Sequence, residues 1–104
     1  MPNGKRSAVK ITWQEFQEWQ SWDEFPELAN NPPLTVDVMF FYENNVYYIE
    51  SGYNQYHIFK YYFYNKDWRE IYSNNNFLEL LTTPIDLFHG KSFRTVISGL
   101  DFDM

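Results

Sequence analysis

The feature that most restricts how this chain can fold is its load of aromatic rings: 10 Phe, 9 Tyr and 4 Trp among 104 residues, or 22% of the sequence. Disordered segments are poor in such residues, because order is gained only where buried apolar area outweighs the entropy lost by the backbone. A domain of this size buries roughly two thirds of the surface its unfolded chain exposes, which is enough for one core. That core cannot hold every ring. Some, tyrosines first, are expected at the surface with their hydroxyls wet.

The charges are unevenly spread. Net charge is −6, yet between Ile11 and Phe59 there is no Lys or Arg, and the stretch carries Glu15, Glu18, Asp23, Glu24, Glu27, Asp37, Glu43 and Glu50. Phosphate binding depends on Lys and Arg displacing counterions, so direct nucleic-acid binding is disfavoured. With no cysteine, disulfides and thiolate metal sites are excluded, and the cytoplasm is the expected compartment. The longest apolar run, Val38 to Tyr42, is far short of the ~20 residues that span a bilayer, so no membrane helix is expected. Residues 1–10 hold Lys5, Arg6 and Lys10 and lack an apolar stretch after them. They read as a flexible basic tail before a single domain over residues 11–104, and not as a signal peptide.

Thr12 followed three residues later by Glu15 forms a capping box, and Trp13, Phe16, Trp19 and Trp22 then recur at helical spacing. The spacing predicts a helix with an inward aromatic stripe. Pro26 and Asn30-Asn31-Pro32-Pro33 break it. Thr35–Tyr42 and Val46–Gly52, rich in β-branched and aromatic residues, flank Asn44-Asn45 and predict a hairpin in which Tyr42 faces Tyr47 and Phe40 faces Ile49. Alternation then puts Val36, Val38, Phe40, Tyr42, Tyr47 and Ile49 on a core face, and Asp37, Met39, Phe41, Glu43, Val46, Tyr48 and Glu50 on the other.

A third strand over His57–Tyr64 is predicted to point His57, Phe59, Tyr61 and Phe63 inward and Ile58, Lys60, Tyr62 and Tyr64 outward. Trp68–Tyr72 reads as a short fourth strand of open register, or as a helix started by an Asp67 and Glu70 capping box. Short helices are expected from Phe77, after Ser73-Asn74-Asn75-Asn76, and from the cap Ser92 to Gly99, with Phe102 tucked back from an acidic tail. No internal repeat is visible. The fold class expected is α+β: an antiparallel sheet of about four strands, with the N-terminal helix and two short C-terminal helices packed on one face.

The stretch with Glu79-Leu80-Leu81, Pro84-Ile85 and Gly90-Lys91-Ser92-Phe93 resembles the ending of small uncharacterised proteins encoded by Gram-positive bacteria and their mobile elements. It covers about a quarter of the chain and implies no activity.

Catalytic motifs fail on inspection. Gly90-Lys91-Ser92 lacks the glycine that a phosphate loop needs five positions earlier, where Ile85 stands. Asp86, His89 and Ser92 are hydrolase residue types crowded into one turn, whereas such triads are assembled from separated segments. Two histidines without cysteine offer no metal motif, and no cofactor is expected. The chain therefore reads as a non-enzyme. The reading that uses both the surplus rings and the uncompensated carboxylates is a protein-binding module, in the manner of an immunity protein, antitoxin or phage-encoded inhibitor. Its basic partner would dock on Asp37, Met39, Phe41, Glu43, Tyr48, Glu50, Tyr62 and Tyr64. Alternatives from other classes are a carbohydrate-binding module and a homodimer in which this face is merely structural.

Overall fold

A computed structural model describes residues 8–104. Its centre is a six-stranded, wholly antiparallel sheet in the order β1-β6-β2-β3-β4-β5. The strands are β1 (Ala8–Val9), β2 (Val38–Tyr42), β3 (Asn45–Tyr53), β4 (Phe59–Asn65), β5 (Glu70–Asn74) and β6 (Asp101–Asp103). The α+β class holds, but six strands replace about four. The extra two are β1 and β6, whose two and three residues are too short to show a period. Ala8 and Val9, expected in the loose tail, pair with Asp103 and Phe102. The rest of that tail lies outside the described residues.

The helices also differ from expectation. There are three short ones, α1 (Trp13–Trp19), α2 (Phe77–Thr82) and α3 (Phe93–Val96), interspersed with 3-10 turns at Trp22–Glu24, Pro26–Leu28, Asp86–Phe88 and Ile97–Gly99. The capping box that starts α1 is complete: Thr12 Oγ1 accepts from the Glu15 N–H at 3.1 Å, and Glu15 Oε1 accepts from the Thr12 N–H at 2.9 Å. The helix stops before Trp22 because Ser21 turns left-handed, at φ 56°. Trp22 still completes the aromatic stripe, from a 3-10 turn: its ring lies edge-on to Trp13, Phe16 and Phe77. Asn76 and Ser92 cap α2 and α3 through their side-chain oxygens.

The hairpin of β2 and β3 turns at Glu43-Asn44, both with positive φ as a primed turn requires, instead of at Asn44-Asn45. Tyr42 therefore faces Asn45, Phe40 faces Tyr47 and Val38 faces Ile49. The slip is two residues on the partner strand, an even number, so every side chain keeps its face. Thr35–Asp37 is not strand, and Val36, expected in the core, is 39% exposed. His57, expected inward, sits exposed in a turn, Phe59, also expected inward, is 41% exposed at the start of β4, and the helical alternative for residues 67–70 does not form.

One face of the sheet supplies the core. Val38, Phe40, Ile49, Tyr61, Phe63 and Phe102 alternate along their strands and meet Phe16, Phe77, Leu80, Leu81 and Phe93, the buried side chains of all three helices. Phe16 is the hub, with its ring within 6.4 Å of the rings of Phe77, Phe93 and Phe102 as well as its tryptophan neighbours. The helical layer is tied to the sheet by Gln20, which is wholly buried. Its Oε1 accepts from the backbone N–H of Thr35 at 2.7 Å and of Val36 at 3.0 Å, and its Nε2 donates to the Val36 carbonyl at 2.8 Å. Replacing Gln20 with Leu removes these bonds and leaves backbone groups of Thr35 and Val36 only partly hydrated, at about 1 kcal/mol each. Gln20→Leu is therefore expected to lose about 2–4 kcal/mol in urea unfolding, a deficit the added apolar area does not recover.

Candidate functional site

The outer face of the sheet carries its own row of large side chains. Strand pairing aligns Met39, Tyr48 and Tyr64 across β2, β3 and β4, with Glu50 beside Tyr62 in the next row and Phe41 beside Val46 in the row before. These residues lie apart from the core cluster. Met39, Phe41, Tyr48, Glu50 and Tyr64 are half-buried and Asp37 is exposed. The structure thus brings six of the eight residues singled out in the sequence onto one surface in graded exposure.

Two depart from expectation. Tyr62 is only 7% exposed: its ring stacks on Tyr64 at 5.3 Å, and β3 and β5 flank it at Glu50 and Ser73. Its side chain forms part of the floor of this face. Glu43 leaves the strand at the hairpin turn, where its carboxylate meets His89 Nε2 at 3.0 Å and is drawn toward the 3-10 turn at Asp86–Phe88.

The residue that sequence reasoning missed is Trp68. Instead of opening β5 it occupies the turn before it, 53% exposed, and its indole lies on the Tyr48 ring at 4.1 Å between centroids and 13° between planes. Tyr64 is 5.8 Å away. What aims it is the turn. Asn65 Oδ1 accepts from the N–H groups of Asp67 and Arg69, the Asn65 carbonyl from Trp68 N–H, and Trp68 takes φ 60°. The preceding turn repeats this one bond for bond: Asn54 Oδ1 accepts from Tyr56 and Ile58, the Asn54 carbonyl from His57, and His57 takes φ 60°. The shared signal was an Asn three residues before the left-handed position, a place where glycine is usual.

A bulky side chain at positive φ costs about 1 kcal/mol or more. At His57 no ring contact offsets that cost, whereas at Trp68 the stack on Tyr48 contributes about 0.5–1.5 kcal/mol beyond its area. His57→Gly is therefore expected to raise the urea midpoint, by a stability gain of about 0.5–1 kcal/mol, and Trp68→Gly to yield no gain or a loss. Equal gains at both positions would show that the stack contributes nothing.

Carboxylates outnumber cations on this face, where Lys60 shares the outward side of β4 with Tyr62 and Tyr64. Asp101 and Asp103 flank it on β6, Glu70 stands opposite Tyr64, and Asp37 precedes β2 near Glu50. Lys10 pairs with Asp101 at 2.9 Å, both exposed. Burial raises the Glu50 carboxyl above its ordinary pKa, and the nearby Asp37 charge adds to the rise. The Tyr64 hydroxyl is raised by burial first and then by Tyr62, Glu70 and Glu50. A carboxyl whose folded pKa exceeds its unfolded one opposes folding above the folded value, and that penalty vanishes as pH falls through the unfolded value of about 4.3. Glu50→Gln is accordingly expected to unfold at higher urea than the wild type at neutral pH, with the two curves converging toward about pH 4.

Among the described residues no group of three or more His, Asp or Glu could hold a metal ion, and no helix is long and apolar enough to cross a membrane. The His89 ring faces Glu43, and Ser92 Oγ caps α3. No family model matches the chain, and no curated protein or solved structure matches it either.

Proposed function

We propose that this protein is a non-enzymatic binding module whose outer sheet face docks a basic protein, and that it acts by occluding the partner's own binding surface, in the manner of an immunity protein, antitoxin or phage-encoded inhibitor. The observation that carries the reading is the Tyr48–Trp68 stack: a rigid, half-exposed aromatic platform, held by a strained turn, on the side of the sheet opposite the core cluster. Aromatic groups in such positions supply binding energy at small entropic cost, and they are the commonest hot-spot residues of protein interfaces.

The surrounding carboxylates select the partner. Asp37, Glu50, Glu70, Asp101 and Asp103 border the platform, so a cationic surface is steered toward it and an acidic one repelled. The same sign of charge opposes a nucleic-acid ligand, whose bases could otherwise stack on such rings.

Affinity capture from the native host with the full chain, followed by binding of the purified partner to variants, tests the reading. Tyr48→Ala, Trp68→Ala and Phe41→Ala are each expected to weaken a basic partner by about 2 kcal/mol or more with the fold retained, and added salt to slow its association. A partner that is indifferent to all three substitutions would overturn the reading. So would a dimer mass in light scattering that Phe41→Ala or Trp68→Ala converts to a monomer, because the face would then be closed by a second copy of the chain.

A further inference from the structure

On the other side of the molecule, where α1 meets the 3-10 turns that follow it, lies a cleft of about 400 Å³. Its floor is apolar and set in place. Trp22 is fixed by its indole N–H, which donates to the Pro33 carbonyl at 2.8 Å, and Phe25 and Pro26 continue the surface. The wall presents Gln14, Gln17, Glu18 and Asp23, two amides and two carboxylates, and among the described residues no lysine or arginine lines it. Gln14 Nε2 donates to Glu18 Oε2 at 3.3 Å, which leaves the Gln14 carbonyl oxygen and the rest of the Glu18 carboxylate to accept from elsewhere.

We infer that this cleft binds a guanidinium group on an apolar stem, as in an arginine side chain. A guanidinium offers five N–H donors and no acceptor, which answers a wall rich in acceptors, and it is hydrated weakly enough to lie against an indole. An anion would find no cationic partner there. The chain already uses this chemistry next door: the Arg94 guanidinium stands 5.0 Å from the Trp13 ring centroid, and Trp13 is edge-on to Trp22 at 5.7 Å. The cleft's volume falls in the range typical of small-ligand sites. The inference stands apart from the docking face, because the residues involved belong to α1 and the turns after it.

The two sites can be read separately in one NMR titration of the full chain, since the Trp22 and Trp68 indole N–H signals report the cleft and the sheet face respectively. Blocked arginine, N-acetyl-arginine N-methylamide, is expected to shift the Trp22 signal saturably, with a dissociation constant on the order of 1 mM. The blocked citrulline analogue, equal in shape but uncharged, is expected to bind roughly tenfold more weakly or not at all, and the double variant Glu18→Gln, Asp23→Asn to weaken arginine by a similar factor. Butylguanidinium separates the sources. Affinity equal to that of blocked arginine assigns the site to a free organic cation, and lower affinity assigns it to an arginine within a polypeptide. Citrulline binding as tightly as arginine, an undiminished shift in the double variant, or movement of the Trp68 signal alone would each overturn the inference. None of these outcomes bears on docking at Tyr48.

Discussion

The side chain of Gln20 sits where a helix ends and must be joined to a sheet that starts many residues later. Its amide meets two N–H groups and one carbonyl of residues 35 and 36, and its own backbone carbonyl accepts from the Thr35 hydroxyl at 2.7 Å. The Gln20 side chain is wholly buried, so water has little access to its end of these bonds. They close the intervening segment into a loop whose two ends touch, which fixes Trp22 over the core and delivers Val38 to the start of β2. They also explain why Thr35–Asp37, extended and β-prone by composition, is not strand: its backbone groups are already engaged by a side chain. The cleft behind α1 is lined in part by the loop that this joint closes.

With the helices anchored in this way, the rings divide between two environments. Phenylalanines fill the core: Phe16, Phe40, Phe63, Phe77, Phe88, Phe93 and Phe102 are the largest fully buried side chains. Tyr48, Tyr62, Tyr64 and Trp68 take the opposite face, where Tyr48 stacks on Trp68 and Tyr62 on Tyr64, whereas Tyr61 joins the core against Phe77. The division follows from the cost of burying a hydroxyl without a partner. It leaves the protein with an interior dominated by phenylalanine and an outer sheet face that is aromatic and partly exposed.

How much of this was legible in the sequence depended on periodicity. The stripe of Trp13, Phe16, Trp19 and Trp22 announced the inward face of α1, although Ser21 ends that helix early and no propensity argument foresees a left-handed serine. Alternation identified both faces of β2, β3 and β4 even though the hairpin turn was misplaced by one residue, because the resulting register slip was even. Elements of two or three residues carry no period, so β1 and β6 were invisible, and Asp101-Phe102-Asp103 read as a tail. Trp68 was lost to a different cause. Its placement is dictated by the Asn65 side chain acting on the backbone, and turn chemistry of that kind overrides the strand preference of tryptophan. The cleft could not be foreseen, because it joins a helix surface to turns whose relative placement is set by tertiary contacts.

Strand β6 separates β1 from β2, so the earliest described segment of the chain has nothing to pair with until residues 101–103 have settled against Phe40 and Phe41. On a ribosome, Ala8 and Val9 emerge long before Phe102 and Asp103, with which they pair. The β2 to β5 meander, built from neighbours in sequence, can assemble early, whereas closing the sheet means bringing together groups some ninety residues apart, a slow event for a chain of this length. Until then the flank of β2 is an open edge, a template on which another chain can pair.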